Sequence, residues 1–146
     1  MGCCNSKNII NQLKIQDEKM DYFSFDGLCT LARVVDIYDG DTCTIIFNYN
    51  NQFIKYKIRA FGYDTCELHP RKNIENRDQH IAKATSQQQA FATLLMYNEG
   101  IVEVQMRGFD KYGRILGIFY GQDKNTSIND IMVHRYDAKP YYGGTK

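Results

Sequence analysis

Two carboxylate-bearing runs, Asp39-Gly40-Asp41-Thr42 and Asp64-Thr65-Cys66-Glu67, flank a single arginine, Arg59. A hard divalent cation takes carboxylate and carbonyl oxygens as ligands. Phosphodiester hydrolysis needs a metal, a base for water and a guanidinium to take up developing charge. A second guanidinium, Arg114, closes the run Asp110-Lys111-Tyr112-Gly113-Arg114. These residue types suffice for that chemistry once strands bring them together. Taken singly, each run reads equally well as a turn.

The elements that must position them are legible from periodicity. Leu28 to Tyr38 is apolar and β-branched and predicts a first strand, and Asp39-Gly40 is a two-residue hairpin signal. Asp41 to Phe47 then alternates, with Cys43, Ile45 and Phe47 on one face and Thr42, Thr44 and Ile46 on the other. After a turn at Asn48-Tyr49-Asn50-Asn51, Gln52 to Ala60 alternates again. Ile54, Tyr56 and Ile58 face inward there, so Lys55, Lys57 and Arg59 face outward. The polar stretch from Leu68 to Gln79 reads as an exposed loop of the kind that carries substrate contacts. Ala82 to Tyr97 predicts a helix, with Ala90, Phe91, Leu94 and Leu95 as its apolar stripe. Two strands, Ile101 to Arg107 and Arg114 to Tyr120, follow around the Asp110-to-Gly113 turn. Ser127 caps a last helix whose Ile128, Ile131 and Met132 face inward. The order β-β-β-α-β-β-α fits an α+β domain, a five-stranded barrel of OB type with helices at its side and end.

A chain of 146 residues is most simply one domain that buries about two-thirds of its unfolded surface. The net charge of +1 excludes a strongly basic protein, so affinity for a polyanion must be local. Lys55, Lys57 and Arg59 on one strand face, with Arg107, Lys111 and Arg114, are the candidates. No run approaches the roughly 18 to 20 apolar residues of a bilayer span, and none serves as a secretory signal. The five cysteines form no C-x-x-C pair, which argues against a zinc ribbon. Their odd number argues against a disulfide framework. Cys29 and Cys43 read as small buried hydrophobes.

The amino terminus carries a separate message. Met1-Gly2-Cys3-Cys4-Asn5-Ser6 matches the N-myristoylation pattern, with Gly2 as acceptor. One myristoyl chain binds membranes marginally, and Cys3 and Cys4 are placed for a palmitoyl chain that adds a second signal. Residues 1–27 are therefore expected to be a lipidated arm, and residues 28–146 the folded domain. Ile9, Ile10 and Leu13 could form one face of a short helix within that arm. The expected location is the cytosolic face of a membrane in a eukaryotic cell, or a virion of a eukaryotic virus, without secretion.

The ordered set of a strand ending in D-G-D-T, a strand carrying Arg, D-T-x-E five residues on, a helix, and D-K-Y-G-R resembles the staphylococcal nuclease (thermonuclease) family. Glu67-Leu68-His69-Pro70 and the closing Ala138-Lys139-x-x-x-Tyr142 extend the likeness over roughly residues 28 to 142. The resemblance implies the OB-type barrel. It also implies one Ca²⁺ ion held by Asp41, Asp64 and the backbone carbonyl of Thr65. By the same resemblance Glu67 orients or deprotonates the attacking water, and Arg59 and Arg114 grip the scissile phosphate. Lys111 and Tyr112 would contact the terminal phosphate and sugar, with Tyr142, or Tyr141, near the base. Cys66 departs from the family's proline in D-T-P-E, which frees the backbone and restores an N–H.

The function expected on these grounds is calcium-dependent, sequence-tolerant cleavage of DNA and RNA, single-stranded or locally opened. The products would carry 3′-phosphates, and the enzyme would be a monomer tethered to membrane by its acyl chains. The alternative is a non-catalytic OB module that binds nucleic acid or a protein partner. The near-neutral charge and Cys66 favour that alternative. Retention of Arg59, Glu67 and Arg114 disfavours it.

Overall fold

The computed structural model describes residues 6–143. Gly2, Cys3 and Cys4, on which the acylation expectation rests, lie outside the described residues. The first element, α1 (Ser6–Lys14), buries none of its residues, and Ile9, Ile10 and Leu13 are exposed along it.

Alternation of apolar and polar residues builds the sheet. Strands β1 (Cys29–Ile37), β2 (Thr42–Tyr49) and β3 (Gln52–Ala60) run antiparallel through tight turns. At the second turn Asn50 and Asn51 adopt φ of 50° and 61°. Both central residues of a type I′ hairpin need that left-handed backbone, which asparagine tolerates. A short β4 (Tyr63–Asp64) precedes α2 (Arg77–Leu95), then β5 (Ile101–Phe109) and β6 (Ile115–Tyr120). Helix α3 (Ile128–Arg135) and β7 (Lys139–Pro140) complete the order.

The barrel closes in the order β1-β2-β3-β6-β5, with β5 returning to β1. This is the five-stranded α+β barrel expected from the element order, with three helices among the described residues. Its closing contact is parallel: Ile58, Arg59 and Ala60 of β3 lie beside Ile115, Leu116 and Gly117 of β6. A Cβ at position 117 would stand 2.5 Å from Ile58 Cδ1, so the two strands meet where one of them has no side chain. That closure fixes the end of β3, and with it Arg59.

Inside the barrel Ala32, Val34, Ile45, Phe47, Ile58, Val104, Met106, Ile115 and Phe119 form one apolar core. Phe25 belongs to it as well, edge-on to Phe47 at 5.4 Å and to Tyr49 at 5.2 Å, and Gly27 N–H donates to Met106 O. Barrel packing therefore begins before residue 28. Cys43 is buried as expected, but Cys29 is exposed. Position 29 shares the outward parity of Leu31 and Arg33, while Ala32 and Val34 point in.

The side helix starts at Arg77 rather than Ala82 and shortens the expected loop. Its N-cap, Asn76, has left-handed backbone and makes no side-chain cap, so no capping signal marked the start. Ser127 does cap α3, accepting a hydrogen bond from Asp130 N–H. Behind it, buried Asn129 accepts from Phe119 N–H and donates to Phe61 O and Gly117 O, which ties α3 to β6 and to the exit of β3.

Candidate active site

The β1–β2 hairpin delivers Asp41 to the barrel end. Asp39 accepts the Asp41 N–H at 3.0 Å, and the Asp41 carbonyl accepts Ala60 N–H at 2.7 Å. The Asp41 side chain is buried, with Thr42 Oγ1 donating to Oδ1 at 2.8 Å. Across the ladder, Thr42 pairs in register with Arg59, so β3 sets the guanidinium beside Asp41. Arg59 Nη2 donates to Asp64 Oδ1 at 2.7 Å and, at a longer 3.4 Å, to Asp41 Oδ2. Thr65 closes the group, its N–H and Oγ1 reaching Asp41 Oδ2 at 3.4 and 3.3 Å. The structure thus brings Asp41, Arg59, Asp64 and Thr65 together from three separate segments.

Gly40 permits this approach, because a Cβ there would stand 2.9 Å from Thr65 Cγ2. Buried Tyr63 pins the same hairpin by donating its hydroxyl to Gly40 O at 2.8 Å. Burial holds the Tyr63 phenol well above its ordinary value, so it remains a donor.

Outside this cluster lies a cleft of about 690 Å³. Arg59 and Arg114 line it together, with Lys111, Tyr112 and Tyr142. Asp110 organises the β5–β6 turn, accepting the N–H groups of Tyr112 and Arg114 at 2.9 Å and Arg114 Nε at 2.6 Å. Burial opposes ionisation of Asp110, but those hydrogen bonds outweigh it and hold the carboxyl below its usual range. The Arg114 guanidinium lies 5.3 Å from the Tyr112 ring centre, and the Lys111 ammonium 5.1 Å. On the opposite wall Arg59 lies 5.5 Å from the Tyr141 ring centre, and exposed Tyr142 packs on Phe61 at 5.7 Å. Both tyrosines that the carboxy-terminal likeness pointed to therefore line the cleft.

Glu67 is placed differently. It is exposed and lines a neighbouring hollow with Pro70, Arg71, Asn73, Ile74 and His80, not the cleft of the two arginines. Its backbone is nevertheless held. The N–H that Cys66 restores donates to Gln87 Oε1 at 2.9 Å, and Gln87 Nε2 donates to Tyr136 O at 3.1 Å. The freedom expected from the loss of proline is thus replaced by a hydrogen bond to a buried side chain.

Sequence reading missed Gln87. Its signal was an amide at helical spacing between the buried Ala84 and Phe91, a polar group on a core stripe. Gln87→Leu leaves the Cys66 N–H and the Tyr136 carbonyl without this partner and is expected to lower stability by about 2 kcal/mol. Thermal melts check this, and Gln87→Glu, which keeps the acceptor for Cys66 N–H but loses the donor to Tyr136 O, should recover only part of the loss.

The residues expected to hold a cation are Asp41, Asp64 and the Thr65 carbonyl, and the cation the structure shows between the two carboxylates is the Arg59 guanidinium. Asp41 and Asp64 each turn one oxygen toward the same guanidinium nitrogen, and Thr65 adds a backbone carbonyl in the adjoining segment. Asp41 and Asp64 share the guanidinium of Arg59, and Asp39 stands beside Asp41. Burial and the nearby Asp41 charge push Asp39 up to about 6. Among the described residues no three His, Cys, Asp or Glu side chains converge as a metal group, and the expected site requires only two carboxylates.

No protein-family model matches the chain, and no curated protein matches it.

Proposed function

We propose that this chain is a calcium-dependent phosphodiesterase that cleaves DNA and RNA with little sequence preference, in the manner of the staphylococcal nuclease family it resembles. The observation that carries the reading is the sharing of one cleft by Arg59 and Arg114, with the Asp41–Asp64 pair behind Arg59. Ca²⁺ bound by Asp41, Asp64 and the Thr65 carbonyl would supply positive charge to the phosphate oxygens. Arg59 and Arg114 approach the phosphate from two walls and donate planar, permanently charged N–H groups to it. Their charge counts most when the pentavalent transition state gathers negative charge. Glu67, exposed outside this cleft, would take the proton of the attacking water on turning toward it. The water oxygen bonds to phosphorus as the bond to the 5′ oxygen breaks, the 5′ oxygen leaves as a hydroxyl protonated from solvent, and the phosphate stays on the 3′ side. Tyr112, Tyr141 and Tyr142 offer aromatic faces that stack on bases without reading their edges.

The test is an assay on single-stranded DNA and RNA with calcium and then with chelator. Cleavage with calcium, 3′-phosphate ends, and none with chelator are expected. The placement of Glu67 outside the cleft favours the second reading, a non-catalytic OB module. Binding without cleavage under every divalent metal tried would establish that module instead.

The Gly2, Cys3 and Cys4 motif supports a membrane tether for the domain, and α1 follows directly upon it. Gly2→Ala should move the protein to the soluble fraction and leave cleavage in solution unchanged. Persistent membrane association would discard the acyl tether.

A further inference from the structure

Strand β3 continues past Arg59 in a direction the catalytic roles do not use. Lys57 and Lys55 stand on the same outward face as Arg59, both exposed, and so does Phe53, one residue from the start of the strand and 76% exposed. Among the described residues neither lysine has an ion-pair partner. The parallel register Ile58↔Ile115 and Arg59↔Leu116, continued one step, sets Lys57 beside Arg114. Buried Ile115 and Gly117 leave Arg114 on the outward parity as well. Lys57 is thus flanked on its own strand by one arginine of the cleft and across β6 by the other. Further along, Lys55 pairs with Ile46 and Ile46 with Arg33, which adds a second exposed cation to that row. The row at Lys57 also holds an acid, Asp36, across Thr44.

We propose that the outer face of β3 is a strand-binding track. It would lead a single polynucleotide strand away from the cleft, with Lys57 and Lys55, aided by Arg33, on successive phosphates and Phe53 under a base. Same-face residues on a strand recur every ~6.6 Å, close to the step between phosphates of an extended, unstacked strand. A line of cations on phosphates reads no sequence, and an exposed ring stacks any base. The track explains how a chain of net charge +1 would hold a polyanion: the cations are arranged in a line from the cleft. The proposal rests on the nuclease reading for the direction of the strand, and it adds a preference for long single strands over dinucleotides.

Two measurements on the full chain test it. Fluorescence anisotropy in chelator, where no cleavage is expected, gives the affinity for a 15-nucleotide single strand. Lys55→Gln/Lys57→Gln should weaken that affinity about tenfold at low salt and reduce the salt slope by about 1.4, at 0.7 per neutralised phosphate. Phe53→Ala should weaken it several-fold with the slope intact. Lys55→Arg/Lys57→Arg should bind as the parent does, which separates charge from folding. Second, with calcium, the ratio of kcat/KM for the 15-mer to that for a dinucleotide should fall in the glutamine variant. Unchanged 15-mer affinity, or an unchanged ratio, would overturn the track. Absence of cleavage with track binding intact would overturn the nuclease reading alone. Loss of anisotropy in favour of binding to a protein or lipid surface at the same residues would overturn the track.

Discussion

Arg59→Ala is expected to abolish measurable cleavage and to destabilise the fold by about 3 kcal/mol, the lower end of what truncating one partner of a buried ion pair costs. Arg59 is the shared partner of Asp64 at 2.7 Å and Asp41 at 3.4 Å, and its side chain is only 11% exposed. Without it two largely sheltered carboxylates face each other beside Asp39, already pushed up to about 6 by burial and Asp41. For a domain of this size the loss corresponds to a fall in Tm of roughly 10 °C. Turnover should fall at least 10²- to 10³-fold, about what one lost oxyanion donor costs, from the chemistry alone. Arg59→Lys separates the two effects. An ammonium keeps the charge between the carboxylates and should restore most of the Tm, but it lacks the planar fork and should restore little turnover. Thermal melts with parallel kinetics check both. A Tm for Arg59→Ala within about 2 °C of the parent would mean that the cluster does not depend on this guanidinium.

Arg114→Ala is expected to leave the fold standing and still remove about 10²- to 10³-fold of turnover. The turn that carries Arg114 is organised by Asp110, which keeps its bonds from the Tyr112 and Arg114 N–H groups when the side chain is cut back. Only the 2.6 Å bond from Nε and the stacking on Tyr112 are lost, in a pair that is partly exposed. A stability loss of about 1 kcal/mol follows. Because Arg114 is assigned to charge that develops during the reaction, kcat should carry the loss and KM should change little. Turnover close to the parent's in calcium would remove Arg114 from the reaction, whatever its place in the cleft.

The barrel was readable because its signals are local. In β2 and β3 every second residue faces inward, and the alternation of Cys43, Ile45 and Phe47 with Thr42, Thr44 and Ile46 registers that geometry within one strand. Asn50-Asn51 marks a hairpin through its own left-handed backbone, and Ser127 marks a helix start through its own hydroxyl. Asp39-Gly40 marked a turn but not the two-residue hairpin expected: β1 ends at Ile37, β2 starts at Thr42, and neither residue has a positive φ. Cys29 was misread because β1 carries apolar residues on both faces. With Leu31 and Val35 outside and Ala32 and Val34 inside, composition alone does not name the core side. Helix α2 was started late because Asn76 offers no side-chain cap.

The amino-acid sequence by itself thus determined the five barrel strands and the order of these strands and the two packed helices, while the short β4 and β7 gave no local signal. Only the tertiary structure decided which side chains meet. Arg59 reaches Asp41 across 18 residues and Cys66 N–H reaches Gln87 across 21, through strand register and helix packing that no local pattern encodes. The parallel β3–β6 closure, permitted by a glycine at 117, brought Arg59 and Arg114 to one cleft. Other long-range contacts set Glu67 in a separate hollow and placed Phe25, from a segment that reads as an arm, in the core against Phe47 and Tyr49. Such contacts arise where the whole chain buries its apolar surface at once, and that placement is a property of the packed barrel rather than of any window of residues.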